Sequence, residues 1–135
     1  MSKPANTTTS LLKQAFRQLR AGDYAGADTA FGAVLEQSPE HPAALHGRGI
    51  AALQSGQPGP ALGWLEKARA IDADNPELLV NLAVALNALG RHDSALIYLD
   101  HALSTDACNR QALSGRARTL KQLERLDEAL ETARY

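Results

Sequence analysis

Residues 75–108 read NPELLVNLAVALNALGRHDSALIYLDHALSTDAC. Asn75 can cap a helix, because its side-chain oxygen accepts one of the orphan N–H groups of the first turn. Pro76 suits the first helical position, where a missing N–H costs nothing, and Glu77 meets the positive end of the helix dipole. Leu79, Leu82 and Ala83 then recur at helical spacing. Leu89-Gly90-Arg91 is a tight turn, after which Ala95, Leu99 and Ala102 mark a second amphipathic helix. Ala95 is the small residue at which the second helix crosses the first.

The rest of the chain copies this hairpin. Ala27, Ala61, Ala95 and Ala129 are spaced by 34 residues, and so are Leu11, Leu45, Leu79 and Leu113. Gly22, Gly56 and Gly90 follow the same interval, and Glu124 breaks the series in the last copy. A fixed period of this length marks a stacked repeat protein. Short turns make successive helices antiparallel neighbours, and each pair buries its apolar stripe against the next. The expected fold is all-α, an alpha-alpha superhelix (solenoid) of stacked antiparallel helix pairs with about four repeats, the last incomplete. Residues 1–8 form an expected disordered lead-in, and the repeats fall at about 8–41, 42–75, 76–109 and 110–135. The first helix is expected to start at a Thr9 or Ser10 cap. In the second copy the breakers around Pro58 place the later helix near Pro60. In the fourth copy Leu113, Ala117 and Leu120 are expected inward, with a turn at Glu124-Arg125 and a new helix from Leu126.

Composition agrees with helices packed by small residues. The chain has 135 residues, 44% hydrophobic but only 4% aromatic, so Leu and Ala carry the packing. Fourteen Lys plus Arg against fifteen Asp plus Glu leave a net charge of -1, which argues against a general nucleic-acid or membrane-surface binder. Cys108 is the single cysteine, so no intramolecular disulfide can form and a reducing compartment is the simpler expectation. MSKPANTTTSLL lacks the apolar run of a signal peptide, and no segment is long enough to span a bilayer. Cytoplasm is the expected location.

With its 34-residue period, crossing alanines and helix-ending Pro39, the chain resembles the tetratricopeptide repeat (TPR) family, of bacterial type, over residues ~8–135. Leu11, Ala15, Ala27, Phe31 and Pro39 carry the pattern in the first copy. Leu45, Gly49, Ala61, Leu65 and Ala68 carry it in the second, and Leu79, Leu82, Ala83, Ala95, Leu99 and Ala102 in the third. Leu113, Ala117, Leu120 and Ala129 do so in the fourth. The opening aromatic of the family is Leu throughout, and Ala73 and Ala107 replace its closing proline.

The resemblance implies a groove lined by the first helix of each pair, holding a segment of a protein or peptide partner. Equivalent positions run Leu12, His46, Val80 and Ser114; then Phe16, Ile50, Val84 and Arg118; then Leu19, Leu53, Asn87 and Lys121. Leu12, Phe16, His46, Ile50, Val80, Asn81, Val84, Asn87, Arg118 and Lys121 are the candidate groove residues. The alternative for the apolar ones is packing between adjacent copies. The family's carboxylate clamp is not expected, because Leu12, Phe16, Gly47 and Glu77 stand where its Lys and Asn residues belong. Asn81 stands where O-linked glycosyltransferases carry an asparagine ladder, but Lys13, Gly47 and Gly115 occupy the equivalent places.

No catalytic motif is present, and neither a metal nor a cofactor is expected. Gly47-Arg48-Gly49 sits inside a helix and more simply allows close packing. His41, His46, His92 and His101 lack the spacing of a metal site. Trp64 and Tyr98 occupy matching places on second helices and read as inter-repeat packing residues, with an outer contact site as the alternative. The leading expectation is a non-catalytic binding module. The alternatives are the N-terminal substrate-recognition domain of a larger modifying enzyme, such as a bacterial O-linked glycosyltransferase, and a homo-oligomer joined through an uncapped C-terminal repeat.

Overall fold

The computed structural model describes residues 4–133 and contains seven α-helices and, among those residues, no strand. The chain divides into two compact units, Met1–Ala73 and Asp74–Tyr135. The first holds α1 (Pro4–Arg20), α2 (Tyr24–Gln37), α3 (Pro42–Gln54) and α4 (Pro58–Ile71). The second holds α5 (Pro76–Ala88), α6 (His92–Thr105) and α7 (Arg110–Ala133).

Three hairpin turns share one backbone device. Gly22, Gly56 and Gly90 have φ of 83°, 74° and 78°, the left-handed region that side chains resist. In each turn the residue after the glycine donates its N–H to the carbonyl five residues back, as Asp23 to Gln18, Gln57 to Ala52 and Arg91 to Leu86. Together with the glycine's own bond (Gly90 N–H to the Asn87 carbonyl at 3.0 Å), this is a Schellman closure of the first helix. The next helices start on caps in the same 34-residue register. The His41 Nδ1 accepts from Ala44 N–H, Asn75 Oδ1 from Glu77 and Leu78, and Asn109 Oδ1 from Ala112.

In the first unit Phe31, fully buried, is the largest core side chain. Phe16 meets it edge-on with ring centroids 5.0 Å apart. Gly47 gives this ring its space, since a Cβ there would fall on it, and a Cβ on Gly49 would strike Leu65. The pair of glycines is thus a packing device, as their place inside a helix suggests. In the second unit Leu78, Leu79, Leu82, Ala83 and Leu86 of α5 are buried together with Ala95, Leu99 and Ala102 of α6.

The structure corrects three sequence expectations. α1 begins at Pro4, not at a Thr9 or Ser10 cap, so residues 4–8 of the expected disordered lead-in are helical; residues 1–3 lie outside the described residues. No breaker follows Pro4, and the Thr8 hydroxyl donates to Gln37 Oε1 at 2.8 Å, which ties this first stretch to the end of α2. α4 starts at Pro58, which takes the first helical turn itself. The largest correction is α7, a continuous helix of 24 residues with no turn at Glu124-Arg125. Glu124 takes the left-handed conformation only at a cost that glycine escapes, and Lys, Gln, Leu, Glu and Arg around it all favour helix. Leu113 and Leu120 are consequently 48% and 40% exposed and Ala117 is exposed, because among the described residues no helix folds back over them. Among the described residues of α7, Ala112 and Thr119 are buried, with Gly115 against Leu99.

Candidate functional site

On the second unit, one turn of α5 after another presents Val80, Asn81, Val84 and Asn87 beside α7. They face Gln111, Ser114, Gly115 and Arg118 across a groove of about 360 Å3, floored by Ala83 and Leu99. Residues one period apart in sequence, Val80 with Ser114 and Val84 with Arg118, thus line one groove. They differ in role. Val80 is buried, and Val84 is 44% exposed at the rim. Asn81 is half-buried and Arg118 exposed. Arg118 is the one ionisable side chain among the lining residues, so the groove carries a single positive charge. Lys121, also expected here, is exposed but does not line the groove.

Asn87 is held from both sides. The buried Thr119 hydroxyl donates to the Gly115 carbonyl at 2.8 Å, so it accepts from Asn87 Nδ2, also at 2.8 Å. That leaves Asn87 Oδ1 facing His92 Nδ1 at 2.8 Å, which makes the His92 nitrogen the donor. The chain of bonds links the start of α6 to α7 through the end of α5. Asn87 therefore positions the groove wall, a part that its sequence position alone did not reveal.

The other candidate groove residues, Leu12, Phe16, His46 and Ile50, belong to the first unit. Leu12 and Phe16 line a shallow cleft of about 490 Å3 along α1 with Thr9, Lys13, Arg17 and Arg20. It combines an apolar floor with a basic rim. His46 and Ile50 on α3 are half-buried and outside that lining.

A second cleft of the first unit, between α2 and α4, escaped sequence reasoning. Its volume is also about 490 Å3, and Tyr24, Asp28, Arg48, Ser55 and Trp64 are in its walls. Arg48 Nε donates to Asp28 Oδ1 at 2.8 Å, and its guanidinium lies 4.3 Å above the Trp64 ring. Lys67 approaches the same ring at 4.9 Å. Trp64 is thus a stacking platform for cations as well as a packing residue. The signal was present: Arg48 stands where the third copy has Leu82. The histidines serve locally, His41 as a helix cap and His101 beside Asp74 at 3.0 Å. Among the described residues, no cluster of three His, Cys, Asp or Glu side chains could hold a metal ion.

Antiparallel helix pairs at a 34-residue period, closed by left-handed glycines, define a helical-hairpin repeat protein. Two tetratricopeptide repeat profiles match, over residues 12–76 and 52–114, and the chain belongs to the tetratricopeptide repeat family. No curated protein matches it. Among solved structures it is similar to a mutant of the O-GlcNAc transferase of Thermobaculum terrenum, with 30% identity and a TM-score of 0.83. That alignment covers 89% of this chain and 23% of the transferase, so the chain spans about a quarter of that protein's length. The first TPR domain of human RPAP3 superposes with a TM-score of 0.86 at 16% identity, covering 93% of this chain and 98% of that domain. The second TPR domain of human RPAP3, in complex with the HSP70 peptide SGPTIEEVD, gives 0.82 at 16% identity, covering 87% and 98%. At that identity the two human domains establish the fold alone.

Proposed function

We propose that the chain is a non-catalytic protein-interaction module that binds a segment of a partner protein along α5 and α7. The observation that carries this is the groove between them. An exposed Val84 beside Asn81, Ser114 and Arg118 offers apolar contact, backbone-directed hydrogen bonding and one cation. That mixture suits an extended or helical segment with apolar residues and an acidic group opposite Arg118. The peptide-bound RPAP3 domain supports the general mode of recognition. Leu12, Phe16, Gly47 and Glu77 still argue against the carboxylate clamp. The near-neutral charge favours a protein over a nucleic acid as partner, and the exposed thiol of Cys108 suits the reducing cytoplasm.

A photo-crosslinker attached at Val84→Cys in a Cys108→Ser background tests the site in cells. Defined partner adducts are expected there and absent from the control Ile97→Cys, which is 68% exposed on α6. Equal labelling at both positions would remove the groove from consideration.

The 30% identity to the transferase favours one second role, the substrate-recruiting part of a larger modifying enzyme. Reading the gene beyond Tyr135 tests it: a continuous frame into a catalytic domain is expected, and a stop codon there would end the idea.

A further inference from the structure

α7 carries two unpartnered apolar rows that the geometry of the repeat makes complementary. Its first half places Leu113, Ala117 and Leu120 one period after Leu79, Ala83 and Leu86 of α5. Those three α5 side chains are 0%, 1% and 4% exposed beneath α6, whereas Leu113 and Leu120 are 48% and 40% exposed. The second half of α7 places Leu126, Ala129 and Leu130 one period after His92, Ala95 and Leu96, on the helix that does the covering. Ala95 is fully buried, while Ala129 is exposed and Leu130 is 65% exposed. One helix therefore holds both sides of a hairpin interface, with neither side used.

Within a straight helix the two sides cannot meet. Ala117 and Ala129 lie about 18 Å apart along the axis. Their equivalents in the second repeat, Gly49 and Ala61, are neighbours: a Cβ on Gly49 would lie 3.5 Å from the Ala61 carbonyl oxygen. Two copies of α7 running antiparallel restore that contact without any turn. Ala117 of each copy then faces Ala129 of the other, Leu120 faces Leu126, and Leu123 falls on the twofold axis. The arrangement is closed and self-complementary, as a symmetric dimer requires.

We propose that the chain forms a homodimer by exchange of α7, the first half of each copy packing on the second half of the other. Glu124 sets this outcome, because it removes the left-handed hinge that Gly90 supplies one period earlier. The tripeptide Leu123-Glu124-Arg125 differs from Leu89-Gly90-Arg91 at that residue alone.

Light scattering of the 135-residue chain should give twice the 14.4 kDa of one copy. Glu124→Gly should return the mass to one copy while cooperative unfolding is retained. A monomeric parent, or a dimer that this substitution leaves intact, overturns the proposal. Oxidation of Cys108→Ser carrying Ala117→Cys and Ala129→Cys gives an independent readout. A covalent dimer is expected. A bridge within one chain, showing that α7 folds back on itself, or thiols that stay free would each overturn it.

Discussion

The stretch Leu86–Ala95, LNALGRHDSA, and the stretch Leu120–Ala129, LKQLERLDEA, share leucines, arginine, aspartate and alanine in one register. The first turns the chain between α5 and α6, and the second runs unbroken through the middle of α7. Gly90 at φ 78° makes the difference. An L-residue pays roughly 1–2 kcal/mol in that conformation, while Lys, Gln, Leu and Glu gain by remaining helical. Apolar periodicity alone thus marks where two helical faces belong, but a hairpin also needs a residue able to turn between them. When that residue is lost, the apolar faces persist and need another route to burial.

The largest effect should separate the two leucines that share a register. Leu79→Ala removes a fully buried side chain and should lower unfolding free energy by about 3 kcal/mol in urea titration. Leu113→Ala, one period on, should cost about 1 kcal/mol at low protein concentration, since half of that side chain is already in water. A loss at Leu113 that grows with concentration would sharpen the contrast, because only association buries it. Equal losses at both sites in a dilute sample would break it.

At the turn, Gly90→Ala meets no atom within 4 Å, so its cost is backbone strain alone, about 1 kcal/mol. Glu124→Ala should leave stability unchanged or slightly higher, because alanine leads the helix scale. Thermal unfolding followed by circular dichroism checks both, and a loss at position 124 matching that at 90 would show a turn there. The smallest effect is expected at Arg116. Its Nε donates to Asp100 at 2.8 Å across α6 and α7, but both side chains are about half exposed. Arg116→Gln should shift stability by less than about 0.5 kcal/mol, and added salt should shrink even that.

Local chemistry made most of the hairpins legible. Asn75 caps and Gly90 closes the helix through bonds within a few residues, and Pro76 opens it through its fixed φ. The groove was legible in part. Helical spacing placed Val80, Asn81 and Val84 on one side of α5, and the 34-residue period set Ser114 and Arg118 beside them. Lys121, one period after Asn87, is exposed on α7 outside the groove lining. The bonds of Asn87 were not legible, since Thr119 lies 32 residues away and is reached only after α7 packs. The same holds for Arg48, whose partners Asp28 and Trp64 come from two other helices.

By itself, then, the sequence determined the helices, their caps, the glycine turns and the repeat period, because these depend on backbone preferences and side-chain spacing over a few residues. Tertiary structure decided which side chains were buried and which polar groups were already bonded. Those outcomes depend on what packs against each helix, and that is not a property of any single segment.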